Sequence, residues 1–103
     1  MTTAVAKILA AFLAAPDDDR YGLEIMRDTG LASGTLYPIL VRLERAGWVT
    51  AAWEEIDPVA EGRPSRRYYR LTPHGVTTGR SELAALNAQL TRATGPVGRT
   101  QPV

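Results

Sequence analysis

The chain has 103 residues, 45% of them apolar, and a formal net charge of +1, which suffices for one small domain with a modest core and not for two. It has no cysteine and a single histidine, His74, which excludes a disulfide framework and leaves no set of residues for a thiolate or imidazole metal site. No apolar run reaches the roughly eighteen residues of a membrane span, and Met1-Thr2-Thr3 carries no basic leader, so a cytoplasmic protein with no membrane partner is expected.

Val5, Ile8, Leu9, Phe12 and Leu13 recur at helical spacing within Ala4 to Ala15, and Pro16 stops the pattern. Asp17, Asp18 and Asp19 offer N-caps for a second helix from about Arg20 to Asp28, which buries some combination of Leu23, Ile25 and Met26. Gly30 stands where a left-handed C-terminal residue is wanted, and Ser33 is a candidate cap for the next helix. Two short helices about a glycine-containing turn are the pattern of a helix-turn-helix, whose second helix enters a DNA groove.

That second helix is Ser33 to Gly47. Leu36, Ile39, Leu40 and Leu43 mark its buried face. The other face carries Gly34, Pro38, Val41, Arg42 and Arg45, edged by Thr35, Tyr37 and Glu44, a mixture of cations, hydroxyls and an apolar contact that suits a major groove. Pro38 requires either a start as late as Thr35 or a slight bend.

Beyond Gly47 the period changes to two. Trp48 to Glu55 and Arg66 to Leu71 read as the strands of a two-stranded hairpin, with Arg67, Tyr69 and Leu71 on one face and Arg66, Tyr68 and Arg70 on the other. Between them, Ile56 to Ser65 reads as a loop long enough to project as the wing of a winged helix. Glu54, Glu55, Asp57 and Glu61 precede Arg63, Arg66, Arg67 and Arg70, which makes either a solvated loop with local ion pairs or a basic contact patch. Trp48, Trp53, Tyr68 and Tyr69 are assigned to packing rather than to ligand contact.

Thr72-Pro73 opens the last helix. Val76, Gly79, Leu83, Leu86 and Leu90 alternate spacings of three and four, an a/d seam over two heptads, and Val76, Leu83, Leu86 and Leu90 are read as a dimer interface. The resulting organisation is mainly α with a small β-hairpin: a winged helix-turn-helix over residues 1–71, a C-terminal dimerisation helix over 72–93, and a disordered tail over 94–103.

No catalytic constellation is present, since Ser33 and Thr35 lack a base and the glycines match no phosphate-binding loop. A non-enzyme without cofactor is expected. Ser33, Thr35, Tyr37, Pro38, Val41, Arg42 and Arg45 on the helix, with Arg63 and Arg66 in the wing, form the expected DNA-binding set. A helix start can hold phosphate and arginines can read guanine or a narrow minor groove. A protein-interaction module and a ligand sensor with an aromatic pocket at a dimer interface are the alternatives.

Gly34-Thr35-Leu36-Tyr37-Pro38-Ile39-Leu40 with Arg42-Leu43-Glu44 and Gly47, then Trp53-Glu54, Gly62-Arg63-Pro64-Ser65-Arg66-Arg67-Tyr68-Tyr69-Arg70-Leu71-Thr72 and Gly75, resemble the PadR family of bacterial transcriptional regulators. The resemblance runs from Ala4 to Leu90. It implies a winged helix-turn-helix homodimer joined through its C-terminal helix with help from helix one, and binding to double-stranded DNA at a near-palindromic operator, most simply as a repressor. It also implies that Ser33, Thr35, Tyr37 and Pro38 lie at the DNA surface, and that Arg63 and Arg66 meet backbone or minor groove. The chain resembles the short subgroup with one C-terminal helix, some of whose relatives take a small aromatic effector.

Overall fold

Helix boundaries in this chain are set by local capping chemistry. In the computed structural model, which describes residues 1–94, the elements are α1 (Thr3–Leu13), β1 (Arg20–Tyr21), α2 (Gly22–Thr29), α3 (Ser33–Arg45), β2 (Val49–Trp53), α4 (Pro58–Glu61), β3 (Arg67–Leu71) and α5 (Pro73–Thr94). The Thr2 hydroxyl accepts from Val5 N–H at the start of α1. Gly30, at φ 73°, closes α2 through its N–H to the Met26 carbonyl. At the end of α3, Trp48 N–H reaches Leu43 O at 2.9 Å and Gly47 N–H reaches Glu44 O at 3.1 Å, with Gly47 at φ 78°. That paired closure needs a left-handed residue, which glycine adopts without a Cβ penalty. Thr72 caps α5 through Gly75 N–H at 2.9 Å, with Pro73 as the first helical residue.

Four expectations are corrected. The aspartates do not cap α2; its first turn is closed by Glu24, whose carboxylate accepts from Tyr21 N–H at 2.9 Å, while Asp19 pairs with Arg70 at 2.9 Å. Ser33 is not the cap of α3: that position is Ala32, which has no side-chain bond to give. The hairpin is a three-stranded antiparallel sheet in the order β1-β3-β2, because Arg20 and Tyr21 pair with Tyr69 and Tyr68. The segment expected as loop holds the one-turn α4, started by Asp57 and ended by Gly62 at φ 67°. Thr94 closes α5; the rest of the expected tail lies outside the described residues.

Pro38 lies within α3, not in its first turn. The missing N–H leaves the Gly34 carbonyl without its helical donor, on the exposed side of the helix where water can serve it.

The core is one cluster: Ile8, Leu9 and Phe12 of α1, Ile25 of α2, Leu36, Ile39, Leu40 and Leu43 of α3, Val49 of β2, and Tyr69 and Leu71 of β3. The four apolar positions expected to face inward on α3 all do. Each such side chain removed from water contributes about 1.5–3 kcal/mol, so the core fixes α3 against α1, α2 and the sheet. Its opposite face is left outward. Thr29, the buried polar residue, satisfies itself by donating to Ile25 O at 2.6 Å and accepting from Leu31 N–H at 3.2 Å.

Val76 and Leu83 of the α5 seam pack against this core. Leu86 is half-buried and Leu90 is 55% exposed. Among the described residues, no helix is long and apolar enough to cross a membrane.

Candidate nucleic-acid interface

The face of α3 turned away from the core presents Ser33, Gly34, Thr35, Tyr37, Pro38, Val41, Arg42 and Arg45, all exposed. Because Ala32 holds the cap position, the Ser33 hydroxyl is not committed to capping. Val41 is 44% exposed and Tyr37 41%, an apolar side chain and an aromatic ring left on the outward face of the helix. Tyr37 lies across the start of α2: a Cβ built on Gly22 would come within 2.2 Å of the Tyr37 hydroxyl. The glycine at the first position of α2 is therefore the space in which this phenol sits.

Beside the helix stands the wing. Its strands pair Val49 with Leu71, Ala51 with Tyr69 and Trp53 with Arg67. The first two pairs enter or border the core, whereas the last reaches past it. Trp53 is 59% exposed: of the core and hairpin packing expected for it, only the hairpin part holds, because strand alternation puts it on the core face but beyond the core's edge, opposite Arg67. Trp48 does pack against the core. The Arg67 guanidinium lies 5.2 Å over the Trp53 ring and 3.7 Å from Glu44 of α3, so it bridges wing and helix.

The wing's remaining charges are organised by Glu54. Its carboxylate accepts from Arg63 Nη1 at 2.6 Å and Nη2 at 3.1 Å, from Arg66 N–H at 2.9 Å, and from the Tyr21 hydroxyl at 3.4 Å. Hydrogen bonding to Arg63, opposed by burial and aided by the Arg66 N–H, lowers its pKa to about 2. The same bond raises Arg63, and burial followed by the Glu54 charge raises Tyr21. Arg66 behaves differently. Its side chain is exposed, with the guanidinium 5.9 Å from the centroid of the Tyr21 ring.

Tyr21, Leu23, Arg27, Tyr37, Arg66 and Arg67 line an open cleft of about 430 Å³ between α2, α3 and the wing. The structure thus brings Tyr37 and Arg66, expected from sequence, together with Arg67, named there only as part of the basic cluster, and with Tyr21 and Arg27, which were not singled out. Tyr21 carried no legible signal, because a two-residue strand shows no alternation. Arg42 and Arg45 project from the same exposed face of α3, whereas Arg63 is held by Glu54.

A helix-turn-helix flanked by a short antiparallel wing, with the second helix displaying arginines and hydroxyls, defines a winged-helix DNA-binding protein. The model of the PadR-like family of transcriptional regulators matches residues 12–85, and the chain belongs to that family. It is a family of regulators, in keeping with the expected lack of an enzymatic site. Among solved structures, smu.1704 from Streptococcus mutans UA159 is similar at 28% identity over 100% of this chain and 98% of that one, with a TM-score of 0.71. A PadR-like transcription factor from Bacteroides fragilis is similar at 24% identity over 87% of this chain and 88% of that one, with a TM-score of 0.64. Reduced AbfR, solved bound to DNA, shares the fold at 24% identity over 85% of this chain and 56% of that one, with a TM-score of 0.67. No curated protein matches the chain at a significant level.

Proposed function

We propose that this chain is a sequence-specific repressor that binds a near-palindromic operator as a homodimer, reading bases with α3 and holding the backbone with the wing. The observation that carries this reading is the outward face of α3. A helix pinned by four buried residues leaves Tyr37, Val41, Arg42 and Arg45 exposed beside Arg66 of the wing. Arginine suits guanine edges, valine a thymine methyl, and the start of a helix whose cap has no side-chain bond suits a phosphate. The net charge of +1 implies modest non-specific affinity, so specificity rests on this local surface rather than on a global field.

The dimer is supported by the far half of α5. Val76 and Leu83 are satisfied within the protomer, while Leu86 and Leu90 continue the seam beyond the core. On this reading residues 1–71 form the reading head, and 72–93 join two heads so that half-sites fall about one helical turn apart.

Selection of bound duplexes from a random pool tests the whole reading. The expected product is a pair of inverted half-sites with centres separated by about one helical turn. Equal retention of the selected duplex and a scrambled one at physiological salt overturns it.

A further inference from the structure

We propose that Glu54 is the positioning residue of the wing: it takes Arg63 as its counter-ion, ties the wing to Tyr21, and leaves Arg66 as the wing cation that meets DNA phosphate. This deepens the DNA-binding reading above and rests on it.

Three observations carry the assignment. Arg63 meets Glu54 through both terminal nitrogens, at 2.6 and 3.1 Å, and donates to Pro64 O at 3.3 Å. Its side chain is 33% exposed and that of Glu54 13%, so the pair is folded into the wing. Bidentate arginine–carboxylate pairs are among the stronger charge-assisted contacts. For Arg63 to leave for a phosphate, Glu54 would have to face that phosphate uncompensated, and like charges brought together oppose binding.

Glu54 also closes the wing as a unit. Its N–H donates to Arg66 O at 2.8 Å, its carbonyl accepts from Ser65 Oγ at 3.2 Å, and its carboxylate accepts from Arg66 N–H at 2.9 Å. The backbone of Arg66 is therefore fixed from both sides by one residue. The Tyr21 hydroxyl, 3.4 Å from the other carboxylate oxygen, connects that unit to the residue immediately before α2. Wing and helix-turn-helix are thereby held in one geometry.

Among the described residues, Arg66 has no anion within ion-pair distance. Its exposed guanidinium sits over the Tyr21 ring at 5.9 Å, an aromatic platform that orients a cation without neutralising it. The acid next to the wing arginines in sequence, Glu61, contributes only a minor charge effect at Arg63. Neutralisation comes instead from nine residues away.

The slope of log affinity against log salt counts the phosphates neutralised, at about 0.9 per contact on duplex DNA, and a role confined to stability does not move it. The probe is a fluorescein-labelled 30-base-pair duplex of mixed sequence, read by anisotropy against the full chain. Arg66→Gln is expected to flatten the slope by about one per bound protomer; Glu54→Gln/Arg63→Gln, in which the backbone bonds of residue 54 remain and the substituted amide oxygen can still accept from Arg66 N–H, keeps Arg66 placed and is expected to leave the slope at the parent value. Glu54→Gln alone, which frees Arg63, is expected to steepen it. Flattening in the double variant, or an unchanged slope in Arg66→Gln, overturns the assignment while leaving DNA binding intact. A parent that does not retain the duplex at low salt overturns both readings. Should the double variant not fold, the parent answers by carboxyl and guanidinium NMR: added duplex is expected to move the Arg66 Nε signal and leave the Glu54 carboxyl in place, and the reverse pattern overturns the proposal.

Discussion

The hydroxyl of Tyr37 occupies the space a Cβ on Gly22 would need, with the built Cβ 2.2 Å from the oxygen and 2.9 Å from the ring carbon that bears it. Helices α2 and α3 are thus in register through one missing methyl group. This contact holds a half-exposed side chain on the outward face of α3 in a defined place.

Gly22→Ala is therefore expected to act on function more than on stability. Gly22 is the first helical residue of α2, where alanine gains less over glycine than the roughly 0.5–1 kcal/mol of a helix interior, and Tyr37, being 41% exposed, can swing outward. The net change in stability should stay within about 1 kcal/mol. DNA affinity is expected to fall in both Gly22→Ala and Tyr37→Ala, and the double variant should be no worse than either single one, because both remove the same placed ring. Additive losses in a binding cycle on selected DNA would sink this explanation.

Gly75 presents the opposite case. A Cβ there would stand 2.0 Å from the Trp48 carbonyl oxygen and 2.8 Å from its carbon, which are backbone atoms. That carbonyl also accepts Thr72 N–H at 3.0 Å, so it has nowhere to go. Gly75→Ala should lift α5 from the end of α3 and cost about 1–3 kcal/mol or more despite the better helix former. A fall in melting temperature of roughly 4–8 °C per kcal/mol is expected for a domain of this size. Gly34→Ala, where a Cβ meets open space, serves as the control and should not destabilise.

Helix order was legible in the sequence because periodicity and caps agree there: the buried face of α3, the left-handed Gly30 and Gly47, and the Thr72-Pro73 start all hold. The third strand was not legible, because Arg20 and Tyr21 become a strand only by pairing with β3. Ser33 misled because cap preference is a property of side chains, whereas the cap falls wherever the chain turns, here at Ala32. On the interface, the exposed face of α3 followed from its buried one. The state of Arg63 did not, since its partner Glu54 lies across the wing and charge clustering alone cannot say which acid meets which base.

The depressed pKa of Glu54 gives stability a defined acid dependence. Its carboxylate has an ordinary value of 4.5 and about 2 in the folded chain. The folded state therefore prefers the ionised form, and the contribution is complete above pH 4.5 and lost as pH falls towards 2. Melting curves of parent and Glu54→Gln should differ by a constant amount near neutral pH, converge between pH 4.5 and 2, and coincide below. A difference that stays as large at pH 2 as at neutral pH would show that the substitution acts through packing and not through the charge.

The two halves of the α5 seam should respond differently to a charge. Leu83 packs against the protomer's own core, so Leu83→Asp buries a carboxylate and is expected to lower helix content and stability in any oligomeric state. Leu90 is 55% exposed and makes no such contact with the core cluster. Leu90→Asp should leave the fold intact while shifting sedimentation from dimer to monomer, and it should abolish the concentration dependence of the melting temperature that a dimer shows. A parent that sediments as a monomer at all concentrations would remove the seam from any interface. A Leu90→Asp variant that stays dimeric would move the interface towards α1.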